Sequence, residues 1–343
     1  MSDSLTPMPS VGPVDRFQRE HTSVGFPLAV IYKYFDDQGN YLAATMTYYA
    51  FIAIFPLMLL GTSILGFVLA GRPEWQEVIL DSALSQFPII GDEIGRPQGL
   101  QGSVGGIVFG SLAALYGSMG LGQSLQNTAW LVWSVPRNSR PNPVQSRLKT
   151  LVLLLTAGTS LLVVSVFSTV VARTDWLTRW LGGGLKFFLP IAITLIVGTM
   201  LTLLFRFAAA GRPPFLQTMP GGFALAIMWQ LLQYVGALYV EHVLVGAASM
   251  NRTFGLVLGL VGFLWLGAVM AVLAMEINVV LTKQLWPRAL LTPFTDRVEL
   301  TEADMRAYQG YAQMQRHKGF QEVSVRFEKF VEAAERERSG GDS

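Results

Sequence analysis

Six stretches of this chain carry no charged residue over a length that only a few folds can accommodate. They are 34 residues between Asp37 and Arg72, 40 between Arg96 and Arg137, and 23 between Lys149 and Arg173. Another 19 separate Lys186 from Arg206, 28 separate Arg212 from Glu241, and 23 separate Arg252 from Glu276. A helix needs about 20 mostly apolar residues to cross a bilayer. One such stretch could be a buried helix of a soluble protein. Six in one chain predict an all-α polytopic membrane protein built as a six-transmembrane-helix bundle. The spans fall near 41–71, 100–134, 149–172, 186–206, 215–240 and 254–281. The first two exceed a minimal span, which tilting or a re-entrant turn would absorb.

Charged residues make up only 14% of the chain, against about a quarter in a soluble protein, and apolar residues make up 51%. This balance excludes intrinsic disorder of the whole chain. Cysteine is absent, which removes disulfide staples, thiolate metal sites and a thiol nucleophile. The formal charge of +2 gives no argument for a nucleic-acid partner.

Orientation follows from Lys and Arg in short loops. Loop 136–148 holds Arg137, Arg140 and Arg147 with no acid, and loop 207–214 holds Arg212 with no acid. Loop 72–99 has two Arg against Glu74, Glu77, Asp81, Asp92 and Glu93. Loop 173–185 carries Arg173 and Arg179, against the trend. The balance puts loops 136–148 and 207–214 in the cytoplasm, and an even number of spans then puts both termini there.

Residues 1–25 are polar and proline-containing, without the apolar core of a secretory signal, and predict a disordered leader. The segment Phe26–Phe35 is apolar, short and followed by Asp36 and Asp37, so 26–40 reads as an interfacial amphipathic helix. The six-span domain covers 41–282. The remainder, 283–343, is a cytoplasmic tail with ten acids and ten bases. Thr301 followed by Asp304 suits a helix N-cap. Phe320, Val323, Phe327, Phe330 and Val331 share a face at helical spacing, with Glu322–Arg326 and Glu332–Arg336 as i,i+4 pairs. An amphipathic C-terminal helix and a solvated, frayed tail fit these residues equally.

A bilayer penalises polar groups, so the polar residues within the spans are the candidate substrate path. They are Thr45 and Tyr48 in span 1, Gln123 and Asn127 in span 2, Gln230 and Gln233 in span 5, and Glu276 and Asn278 in span 6. Pro56 should kink span 1. Glycines crowd span 2, where close helix approach is the plainer reading and a substrate groove the alternative. With both termini inside, Thr45, Tyr48, Asn127, Glu276 and Asn278 lie in the cytoplasmic half. They would line an inward-facing cavity or serve as interhelical bonds. Glu276 is the only acid within any span, and its alternatives are a proton or substrate role and an ion pair with Arg206, Arg147 or Lys283.

Catalysis would need clustered His, Asp or Glu. His21, His242 and His317 lie in the leader, at a span end and in the tail, with no metal-ligand spacing and no phosphate-loop or G-x-S-x-G motif. The residues therefore predict no enzyme, no metal and no cofactor.

The segment Tyr41-Leu-Ala-Ala-Thr-Met-Thr-Tyr-Tyr-Ala-Phe-Ile-Ala-Ile-Phe-Pro-Leu57 resembles the opening signature of the YihY/BrkB family of bacterial inner-membrane proteins. Met219-Pro-Gly-Gly222 resembles that family's Pro-Gly element. Thr253-Phe-Gly255 with Phe263-Leu-Trp-Leu266 resembles its Tyr-Gly…Leu-Trp-Leu stretch, and Ala274-Met-Glu-Ile-Asn278 its Gly-Ala-Glu-Leu-Asn ending. The resemblance runs from about 26 to 282. Met275 departs from the family's Ala, and Gln126-Asn127-Thr-Ala-Trp130 only loosely echoes its Leu-Asn-x-Ala-Tyr. It implies a six-span inner-membrane protein with cytoplasmic termini. The family's old ribonuclease label (ribonuclease BN) is considered mistaken; some members are linked to virulence, and others are suspected of moving lipids or envelope precursors.

Two functions compete on this reading. The first is a transporter or lipid-translocating protein, with membrane lipids as partners. The second is a scaffold for envelope or virulence proteins acting through the tail and loop 72–99, with an envelope protein or self-association as partner. A membrane ribonuclease is third.

Overall fold

The computed structural model describes residues 12–68, 104–173, 185–209, 211, 213–244, 249–292, 294 and 298–327. Loop 72–99 and the tail beyond 327 lie outside them. Among the described residues the ordered elements are helical, with no strand.

The helices are α1 (Pro13–Glu20), α2 (Thr22–Asp36), α3 (Gly39–Val68), α4 (Val104–Val132) and α5 (Pro143–Arg173). There follow α6 (Leu185–Ala208), α7 (Phe215–Tyr239) with a π-helical continuation Val240–Leu244, α8 (Ser249–Lys283) and α9 (Glu302–Met314). Among the described residues, three segments are long and apolar enough to cross a membrane: Ile191–Ala208, Phe215–His242 and Phe254–Lys283.

The chain divides into two compact units. Unit 1 comprises the N-terminal residues to Gln38, the segment Leu131–Arg140 and the chain from Val279 onward; unit 2 comprises Gly39–Trp130 and Pro141–Asn278.

Unit 2 holds the apolar helices. Within it α5 packs on α6 and α6 on α7. Leu232, Leu256, Leu260 and Phe263 form a buried core, with Phe51, Ile54, Trp229 and Met270 against it. Small residues set the crossings, because helices in lipid gain by close backbone approach rather than by the hydrophobic effect. A Cβ on Gly117 would lie 3.0 Å from the Cα of Ala53, and one on Gly120 would strike the ring of Tyr49, so α3 and α4 cross there. A Cβ on Gly122 would lie 2.6 Å from Cγ2 of Thr150, which sets α4 against α5. Helix α3 runs on through Pro56 to Val68.

Unit 1 is built differently. Helix α1 starts with Pro13 in its first turn, carries Asp15 near its N-terminus and Arg19 near its end, and suits the helix dipole. It corrects the expectation of disorder over 13–25. Extended His21 separates α1 from α2. Gly25 lets the two meet, since a Cβ there would lie 2.7 Å from the carbonyl oxygen of Gln18. Helix α9 begins with the predicted cap: Asp304 N–H donates to Oγ1 of Thr301 at 3.1 Å, and Thr301 N–H donates to Oδ2 of Asp304 at 3.0 Å. The helix stops at Met314, and residues 315–327 are not helical. The apolar spacing of Phe320, Val323 and Phe327 is thus not expressed as a helix face; Phe330 and Val331 lie outside the described residues.

Candidate functional site

The polar residues of unit 2 fall into two groups, those spent on bonds between helices and those left facing outward. The largest bonded set joins α4 to α5. Gln123 Nε2 donates to Oγ of Ser146 at 2.9 Å. Gln126, fully buried, donates through Nε2 to Oγ1 of Thr150 at 2.7 Å and to the carbonyl of Ser146 at 3.1 Å. Buried amides in an apolar bundle must find such partners. Gln126, Ser146 and Thr150 were not singled out from sequence as a set. The i,i+4 pair Ser146 and Thr150 facing Gln126 was the available signal.

The second bonded set is the crossing of α6, α7 and α8. Pro220, inside α7, loosens the helical ladder at its turn. The next N–H, that of Gly221, donates across to Oδ1 of Asn278 at 2.7 Å. A Cβ on Gly221 would overlap the carbonyl oxygen of Ala274, and one on Gly222 would overlap Oγ1 of Thr202. The Pro-Gly-Gly segment is therefore the place where α7 touches both neighbours, and Asn278 is the side chain that closes it. Glu276, two residues earlier on α8, is fully buried in the same unit. Gln230 bonds Thr194, joining α7 to α6. Gln233 is half-buried on α7.

The outward group is Thr45, Tyr48 and Asn127. Thr45 is exposed and donates its hydroxyl back to the carbonyl of Tyr41 at 2.9 Å. Tyr48 is 61% exposed, with its ring edge-on to Tyr49. Asn127 is exposed, and its Oδ1 lies at the outer limit of a hydrogen bond, 3.5 Å from Nε2 of Gln123. The sequence placed these three in one layer with Glu276 and Asn278. The structure separates them by role, since Glu276 and Asn278 are buried and these three are not. For Pro56 only its place in α3 is described.

Unit 1 contains a charge cluster that the residue pattern of the tail did not single out. Arg288 is fully buried. Its Nη1 donates to Oδ2 of Asp36 at 2.6 Å and its Nε to Oδ1 of Asp304 at 2.7 Å. Tyr308 lies under the guanidinium, 5.7 Å from ring centre to Cζ. Lys33, also buried, pairs with Asp37, donates to the carbonyl of Val132 at 3.1 Å and sits 5.1 Å from the ring centre of Tyr311. Lys283, one of the bases expected near Glu276, donates to the carbonyl of Trp133 at 2.7 Å. Helix α1 locks the cluster from the N-terminal side. Gln18 donates to the Arg288 carbonyl at 2.6 Å, and Asp15 accepts from the Leu290 N–H at 3.1 Å.

Burial pushes the Asp36 carboxyl above its ordinary range, more than the Arg288 and Lys33 charges pull it down. Burial also acts against the Arg288 cation, but Asp36 and Asp304 outweigh it and hold the guanidinium charged. Burial works against Asp15 as well. There the hydrogen bonds from Arg19, Gln18 and the Leu290 N–H prevail, and the carboxyl stays below its usual range. Burial, and then the Asp36 charge, raise the Tyr308 hydroxyl. Among the described residues no group of three His, Asp or Glu is placed to hold a metal ion.

Long apolar helices joined by small residues and amide bonds define an integral membrane protein. The family model described as Virulence factor BrkB matches residues 30–294, and the chain belongs to that family. The match begins inside α2 and ends just past Arg288, so α1 and α9 lie outside it. No curated protein and no solved structure matches the chain.

Proposed function

We propose that the protein is a six-span inner-membrane transporter or lipid- or envelope-precursor-translocating protein, with both termini in the cytoplasm and no enzymatic step of its own. The observation that carries this reading is Asn127. It is exposed on an apolar helix, between buried Gln126 and buried Thr128. A lipid-facing amide is costly, so polar groups on spanning helices usually face a water-filled cavity or bundle interior. Tyr48 and Thr45 supply further exposed polar groups on α3. A path that accepts a lipid headgroup needs such groups beside apolar wall for the tails. Glu276, buried where the charge-free stretch after Arg252 ends, is the candidate coupling group.

The test is reconstitution into liposomes with a fluorescent-lipid scrambling assay. Wild type should move lipid between leaflets faster than empty liposomes. Asn127→Ala and Glu276→Gln should slow it without loss of folded protein. Equal rates with and without protein would remove lipid as cargo.

The scaffold reading rests on the tail. Phe320 stands 92% exposed on non-helical chain beyond α9, as a docking residue for an envelope protein would. Deleting residues 315–343 should leave translocation intact on the transport reading, and abolish the cellular phenotype on the scaffold reading.

A further inference from the structure

Helix α2 is inside out for a surface in water. Its inner side carries a charge, Lys33, which is 1% exposed and is paired with Asp37. Its outer side carries Val24 at 43%, Ile31 at 45% and Phe35 at 47% exposure. These fall at i, i+7 and i+11, one continuous face of a helix. The face is extended by the loop after Arg288. The Phe294 ring lies edge-on to Phe35, with centroids 6.0 Å apart, and Phe294 is 64% exposed. Leu291 is 52% exposed and holds a left-handed backbone with φ 65°. A leucine in that region is unfavourable on its own. Here its N–H is fastened to the Tyr32 hydroxyl at 3.0 Å and the preceding N–H to Asp15 at 3.1 Å. The loop is thus held so that two large apolar side chains stay outside.

We infer that this face, made by Val24, Ile31, Phe35, Leu291 and Phe294, is a membrane-inserting surface whose partner is the headgroup–acyl boundary of the bilayer. Apolar patches of this kind mark interaction sites. The lipid is favoured over another protein by continuity of the chain. The membrane-crossing segment Phe254–Lys283 ends inside unit 1, at residues 279–283. Only Asp37 and Gln38 separate α2 from α3. Unit 1 is therefore joined to the long apolar helices by short links of chain, and an apolar helix face at a membrane boundary sinks about 5–10 Å into the interface. The buried ion pairs serve this arrangement, because a charge on the outer side would oppose insertion. The inference needs only residence in a membrane and is independent of any cargo.

The absence of cysteine makes the test direct. Single-cysteine variants Ile31→Cys, Phe35→Cys and Phe294→Cys of the full chain are spin-labelled and reconstituted in lipid nanodiscs. Gln309→Cys, on exposed α9 surface, serves as reference. Collision rates with oxygen, which partitions into lipid, and with a water-soluble nickel chelate are compared. The three positions should favour oxygen and the reference nickel. Matching ratios at all four positions would overturn the inference, since the face would then be in water. Low collision with both probes at 31, 35 and 294 would also overturn it, since a second copy or another protein would then cover the face. As a second reading, a fluorophore at the same positions should be quenched by brominated lipid, and absence of quenching counts against the inference.

Discussion

Asp304 caps its own helix and neutralises Arg288 with one carboxylate: Oδ2 accepts the Thr301 N–H at 3.0 Å while Oδ1 accepts Arg288 Nε at 2.7 Å. Helix formation and charge burial are therefore one event in unit 1. The start of α9 cannot be undone without exposing or stranding the guanidinium. Through Asp36 the same cation reaches α2, 252 positions away in sequence. Helices α2 and α9 thus share one buried cation.

Removing that cation should be severe. Arg288→Met leaves Asp36 and Asp304 buried without their counter-charge. Breaking a buried ion pair by removing one partner costs about 3–5 kcal/mol. Thermal unfolding of the purified protein should show a marked drop in the transition, and limited proteolysis should cut α9 before the unit 2 helices.

Acid should act on unit 1 with two opposite signs. The Asp36 carboxyl is raised in the fold, so the folded state binds its proton more tightly than the unfolded chain does. That contribution becomes more favourable as pH falls from neutral through the raised value toward the ordinary aspartate value of about 4. The Asp15 carboxyl is lowered. Its contribution is complete above the ordinary value and is lost as pH falls through its folded value. Unfolding temperature measured against pH should therefore change slope in Asp36→Asn on the neutral side, and in Asp15→Asn only at lower pH.

The Pro-Gly-Gly crossing predicts a sharp contrast between glycines. Gly221→Ala puts a methyl into the Ala274 carbonyl and pushes α7 from α8, at about 1–3 kcal/mol for overpacking. Gly262→Ala meets nothing within 4 Å and should be neutral or gain about 0.5–1 kcal/mol from helix propensity. Thermal unfolding of the two variants in one detergent checks the difference. Equal behaviour would remove the crossing as a structural constraint.

Two asparagines should separate architecture from function. Asn278→Ala strands the Gly221 N–H and should lower stability by about 1–2 kcal/mol. Asn127→Ala, at an exposed position, should change stability by less than about 0.5 kcal/mol. Paired unfolding and translocation measurements should show Asn278→Ala losing both properties and Asn127→Ala losing translocation alone.

These residues also mark how far the sequence could be read. Absent charges outlined long helices because a bilayer excludes charge along a whole helix, which is a one-dimensional rule. The α9 cap was legible for the same reason, since Thr301 and Asp304 are three residues apart. Asn278 was legible as a polar residue in a span, but its partner Gly221 was not, because only the fold brings α7 against α8. Arg288 was hidden completely. It lies in a stretch balanced between acids and bases, and nothing local distinguishes a buried arginine from a solvated one. Disorder was expected over 13–25 because α1 is short and polar. Its order comes from distant partners, Gln18 to the Arg288 carbonyl and Asp15 to the Leu290 N–H. The helical spacing at Phe320, Val323 and Phe327 misled in the other direction, because spacing alone supplies no surface to pack against.

On the transport reading, exposed Asn127 faces a polar path and not lipid. Asn127→Cys in the cysteine-free chain, sealed into liposomes, can be challenged with a membrane-impermeant thiol reagent. Leu155→Cys, at an apolar position 70% exposed on α5, is the reference. Modification should be rapid at 127 and absent at 155. Reactivity at 127 as low as at 155 would contradict that reading.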